Sequence, residues 1–93
     1  MQNNTEDPQL GELASSALSE QLRANGIEAE TFELDARLDV PAEGGLQLQV
    51  LCSGRVDHLL KARVQVKAHG APPHRLIPSM MAKAARDLAV DCR

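Results

Sequence analysis

Phe32-Glu33-Leu34-Asp35-Ala36-Arg37-Leu38-Asp39-Val40 alternates an apolar residue with a charged one along its whole length. Successive side chains of a strand point to opposite faces, so this spacing predicts a half-buried strand. Phe32, Leu34, Ala36, Leu38 and Val40 would point inward. A helix would spread the same charges around its circumference. The strand is expected to run from about residue 28 to 40. Pro41-Ala42-Glu43-Gly44-Gly45 interrupts it, because proline has no N–H for a ladder and paired glycines accept positive φ.

The period of two then returns twice. Leu46-Gln47-Leu48-Gln49-Val50-Leu51-Cys52 puts Leu46, Leu48, Val50 and Cys52 inward. The five-residue loop before it predicts an antiparallel hairpin. After Ser53-Gly54, the run Leu60-Lys61-Ala62-Arg63-Val64-Gln65-Val66-Lys67-Ala68 puts Leu60, Ala62, Val64, Val66 and Ala68 inward. His69-Gly70-Ala71-Pro72-Pro73 ends it.

Helical spacing flanks the three strands. Asp7 can cap a helix and Pro8 suits its first position. Leu10, Leu13, Ala14, Ala17, Leu18 and Leu22 form a stripe, and Asn25-Gly26 supplies a left-handed stop, which predicts a helix over 8–24. Ile77, Met80, Met81, Ala84 and Leu88 form a second stripe over 77–91, with Pro78 in its first turn. The Met pair reads as gap-filling core. The fold expected is α+β: a two-layer sandwich in the order α-β-β-β-α, a three-stranded antiparallel meander with both helices on one face. Residues 1–6 are expected to be disordered and 7–93 to form a single domain. The core should hold Leu34, Leu38, Leu48, Val50, Val64 and Val66 against Leu13, Leu18, Met81 and Leu88.

The 93 residues contain one aromatic side chain, Phe32, so aliphatic residues and methionine must fill the core. No apolar run is long enough for a transmembrane helix, and Met1–Asp7 lacks the basic-then-apolar order of a signal peptide. A cytoplasmic location with reduced cysteines is therefore expected, without membrane contact. The net charge of −3 conceals a division. Residues 1–54 hold ten acids and two bases, a balance of −8, and residues 55–93 hold three acids and eight bases, a balance of +5.

Catalytic signatures are absent from the sequence. There is no Gly-x-Ser-x-Gly, no phosphate-cradling loop before a helix, and no Cys-x-x-Cys or His-x-x-x-His pair; His69 and His74 flank a Pro-Pro turn. Glu33 and Asp35 share a strand face and read as solvated. Cys52 reads as a small core residue, Cys92 as a surface residue, and no disulfide is expected between them. The chain is read as non-enzymatic, with no cofactor and no metal.

The α-β-β-β-α order resembles the layout of the double-stranded-RNA-binding domain. That resemblance implies phosphate contacts from the start of the second helix and from the loop between the first two strands. Here the helix begins Pro78-Ser79-Met80-Met81, with Arg75, Lys83 and Arg86 as the nearest bases, and the loop carries Glu43 without a base. No aromatic residue stands beside the basic strand for base stacking. The first expectation for function is a small protein-binding or self-assembling domain. Its candidate surface is Glu33, Asp35 and Asp39 on one strand and Lys61, Arg63, Lys67 and His69 on another. A homodimer joined face to face through these rows, or a monomer whose open face awaits a protein partner, would follow. The alternative is a nucleic-acid-binding module using the basic third strand and the second helix.

Overall fold

The computed structural model of the chain describes residues 1–28 and 30–92. Its elements are β1 (Gln2–Asn3), α1 (Pro8–Ala24), β2 (Phe32–Asp39), β3 (Leu46–Gly54), β4 (Leu60–Ala68) and α2 (Pro73–Asp91). The sheet order is β1-β2-β3-β4. β2, β3 and β4 form the expected antiparallel meander, and both helices pack on one face of it. The class is α+β, with four strands in a mixed sheet instead of three.

The additional strand comes from the segment expected to be disordered. Gln2 pairs with Arg37 and Asn3 with Leu38, parallel to β2. The Asn4 amide donates to the Leu38 carbonyl at 2.9 Å, and the Asn4 side chain donates to Asp39 Oδ1 at 2.7 Å. An unpaired strand edge offers free N–H and C=O groups, and a terminal segment that reaches it is held by them. Gly11 makes room for this strand. A Cβ there would lie 2.5–2.9 Å from three side-chain atoms of Asn3, so only glycine lets β1 lie against α1 without displacement.

The helix signals act as expected at α1. The Asp7 side chain accepts from the Gln9 amide at 2.9 Å. At the other end Ile27 N–H donates to the Leu22 carbonyl and Gly26 N–H to that of Arg23, with Gly26 at φ 79°. This pair of bonds is the Schellman closure, and it turns Ile27 into the core. Leu10, Ala14, Leu18 and Leu22 are buried, but Leu13 is 49% exposed, against expectation. At about 100° per residue, Leu13 lies outside the arc that the other four define.

Four further expectations need correction. β2 begins at Phe32 and not near 28: Thr31 N–H donates to the Glu28 carbonyl in a turn, and Ala29 lies outside the described residues. α2 begins at Pro73, four residues early, so Pro78 sits in the second turn, where it removes the bond that a residue there would give to His74. Leu60 is 58% exposed, although its place in the alternation points inward. Cys52 pairs with Ala62 and Ser53 with Leu60, which leaves Lys61 as an extra residue. This bulge reverses the facing of Leu60. Val40, just past β2, is also exposed.

The core itself is aliphatic, as composition required. Leu38, Leu46, Leu48, Val50 and Cys52 from the sheet meet Ile77, Met80, Met81 and Leu88 from α2, all with 1% exposure or less. Val64 and Val66 are buried beside them, while Phe32 and Leu34 are half-buried at the margin.

A candidate interaction face

The face of the sheet away from the helices carries the outward half of every alternation. Strand register sets which charges share a level. Asp39, Gln47 and Lys67 form one row across β2, β3 and β4; Arg37, Gln49 and Gln65 form the next; Asp35, Leu51 and Arg63 form the third. Within each outer row an acid on β2 and a base on β4 are separated by an uncharged residue on β3. Neighbouring strands lie about 4.8 Å apart, so acid and base stand about 10 Å apart across the sheet. That is too far for an ion pair within one chain.

The expected surface residues divide by environment. Asp35 and Arg63 are exposed, and among the described residues neither side chain has an ion-pair or hydrogen-bond partner. Asp39 accepts from Asn4. Lys67 Nζ lies 3.9 Å from Glu43 Oε1, a loose and exposed pair. Glu33 Oε2 is 4.0 Å from His58 Nδ1, which lies in the turn between β3 and β4. His69 is exposed just past the end of β4.

Lys61 is better explained as part of a turn than as part of a row. It occupies the bulge, and its Nζ donates to Asp57 Oδ2 at 2.9 Å. The Leu59 amide donates to Asp57 Oδ1 at 3.0 Å. The Lys61 hydrogen bond, followed by that of Leu59, holds the Asp57 carboxyl below its ordinary range.

Four residues at the centre of the face were not among those expected: Gln2, Arg37, Gln49 and Leu51. They line a concavity of about 180 Å³ together with Asp35. A second concavity, lined by Glu33, Leu34, Asp35, Leu51, Ser53 and Arg55, adjoins it. Asp35 and Leu51 belong to both. Arg37 Nη2 donates to Gln2 Oε1 at 3.3 Å, so β1 also fixes one side of this surface. Leu51 carried a usable signal: it is the one apolar residue at an outward position of the second alternating run.

Among the described residues no group of three or more His, Cys, Asp or Glu is placed to hold a metal ion. The two thiols do meet, however. Cys92, expected at the surface, is fully buried, as is Cys52, and both are free. The C-terminal end of α2 turns Cys92 into the core beside Cys52. Burial first, and then the neighbouring Cys92 thiol, push the Cys52 thiol up to about 12. A thiol held protonated in an apolar core is a poor nucleophile and a poor metal ligand. No helix among the described residues is long and apolar enough to cross a membrane.

No known protein family, curated protein or solved structure matches this chain.

Proposed function

We propose that this is a small non-enzymatic protein-binding or self-assembling domain whose working surface is the open face of the sheet. The observation that carries this reading is the Asp35–Leu51–Arg63 row. It holds two opposite, unpaired charges on either side of an apolar residue, at the meeting point of two shallow concavities. A complementary protein surface would satisfy both charges and cover Leu51. Charge patterns of this kind select partners and orientation more than they add affinity. Two free, buried thiols fit a reducing compartment such as the cytoplasm.

The nucleic-acid alternative draws support from Arg63 and Lys67 on the exposed side of β4 and from the exposed Arg75, Lys83 and Arg86 on α2. However, α2 packs on the opposite face of the sheet, so the two sets do not form one patch. Asp35 and Asp39 lie on the same face as Arg63 and Lys67, within about one screening length, and would repel phosphates. Lys61 is engaged by Asp57. The protein-binding reading is therefore the stronger.

Amide chemical shifts, followed by nuclear magnetic resonance, test it. The ¹⁵N-labelled chain is diluted against itself, then titrated with an extended Lys-Glu repeat peptide and with duplex RNA. Shifts confined to residues 33–39, 47–53 and 63–67 on dilution or with the peptide support the proposal. Shifts with RNA alone, along β4 or α2, would replace it with the alternative. Changes confined to the outer surface of α1, or none with any probe, would overturn both.

A further inference from the structure

Resting on the reading of the open face as a protein-binding surface, we infer that its occupant is a second copy of this chain, stacked face to face about a two-fold axis that runs along β3. Asp35 of each copy then lies over Arg63 of the other, and Asp39 over Lys67.

The argument is one of symmetry and register. When two identical faces meet about a two-fold axis, the axis lies in the plane between them and the same patch serves both copies. Aligned packing of two sheets keeps their strands nearly collinear, which leaves two directions for the axis, along the strands or across them. An axis across the strands lays β2 over β2 and β4 over β4, so acids face acids and bases face bases. An axis along β3 exchanges the sides of the sheet and keeps each level. β2 then lies over β4 of the second copy at the same row. The register supplies the result: Asp35 shares a level with Arg63, and Asp39 with Lys67. Each contact occurs twice, so charges about 10 Å apart within one chain become four close pairs between chains. Arg37 meets the neutral Gln65.

β3 carries an independent mark of this arrangement. A strand on a two-fold axis meets its own copy, so any charge it presents is set against itself. The outward residues of β3 are Gln47, Gln49, Leu51 and Ser53, all uncharged, whereas β2 and β4 both carry charge on that face. Leu51 would meet Leu51 of the second copy, and the amides of Gln49 can bond to one another.

Edge pairing is the competing route to a dimer. β1 already occupies the β2 edge at Arg37 and Leu38. Two β4 edges would bring the rows of Arg63 and Lys67 close together, and like charges on paired strands repel. The open face is small. Nine residues by three strands give about 30 by 15 Å, or about 450 Å² per copy, below the roughly 800 Å² of a standard interface. The dimer should therefore be weak and sensitive to salt.

Sedimentation equilibrium of the full chain, at low and high salt and up to millimolar protein, is the test. The parent should dimerise at low salt and weaken at high salt. Asp35→Arg or Arg63→Asp alone should weaken the dimer about tenfold or more, and the two together in one chain should restore it to within about threefold of the parent. Gln49→Glu should weaken it too, by setting two carboxylates face to face on the axis. All these positions lie on the open face of the monomer, and circular dichroism checks that each variant folds. Where a charge-reversed variant does not fold, Asp35→Asn with Arg63→Gln should weaken the dimer and flatten its salt dependence, and a dimer unchanged by it would overturn the pairing. A double reversal as weak as either single one would overturn the axis. A parent that stays monomeric at low salt would overturn self-docking, while the peptide titration would still decide whether the face binds protein. A dimer indifferent to every substitution would place the interface elsewhere.

Discussion

The two faces of one three-stranded ladder are built from interleaved residues, yet they obey different rules. On the helix-covered face Leu38, Leu48, Val50, Val64 and Val66 are buried against α2 and its methionines. On the open face their immediate neighbours Arg37, Gln49, Leu51, Arg63 and Gln65 are exposed or half-buried. The covered face is held by burial of aliphatic area, which does not depend on direction. The open face has little area to bury, and its charges are set at fixed levels by the register. The first therefore decides whether the chain folds, and the second, under the proposed reading of the open face, decides what the folded chain can meet.

The largest test of this contrast uses two leucines on one strand. Leu48→Ala on the covered face should cost about 2–5 kcal/mol in urea unfolding, through lost transfer free energy and the cavity left behind. Leu51→Ala, three residues along on the other face, should cost less than about 1 kcal/mol. Equal losses would break the distinction between the faces.

The covered face also holds the group most sensitive to alkali. The Cys52 thiol is pushed up to about 12 in the folded chain from the ordinary value of 9.0. A raised folded-state value means that the unfolded chain loses its proton first. The contribution of Cys52 is fully present below pH 9 and is lost as pH rises from 9 towards 12. Stability should fall by up to about 1.4 kcal/mol per pH unit in that window. Thermal unfolding of the parent and of Cys52→Ala at pH 8 and pH 10.5 measures it: the difference between the two proteins should shrink with pH. An unchanged difference would mean that Cys52 is no more protected than a surface thiol.

The smallest effect concerns the margin where β1 joins the two faces. Gly11→Ala improves helix propensity by up to about 1 kcal/mol but drives a methyl group into Asn3. The two contributions oppose each other, so stability should change by less than about 1 kcal/mol. Protection of the Asn4 amide, which donates to Leu38, should nevertheless be lost in hydrogen exchange. Retained protection would show that β1 can move aside without unpairing.

Much of this molecule was legible from local spacing. The period of two in residues 32–40, 46–52 and 60–68 gave three strands and assigned most side chains to the correct face. Asp7, Pro8 and Gly26 set the ends of α1, because capping and positive φ are satisfied within a few residues of the position concerned. Acidic and basic rows on β2 and β4 followed from the same alternation. Leu51 at the centre was legible only as a break in the alternation, one apolar residue at an outward position, and not from the period itself.

The sequence by itself thus determined the class, the meander and the two faces, since period and capping depend on neighbours in the chain. Only the tertiary structure decided the remainder. It brought residues 2–3 to the edge of β2, inserted Lys61 as a bulge that turned Leu60 outward, and folded Cys92 inward against Cys52. It also set Asp35 and Arg63 on one level, although 27 residues lie between them. Each of these rests on a contact between segments far apart in the chain. The free energy of such a contact depends on which edges, gaps and carbonyls the rest of the fold leaves unfilled, and local spacing carries no record of them.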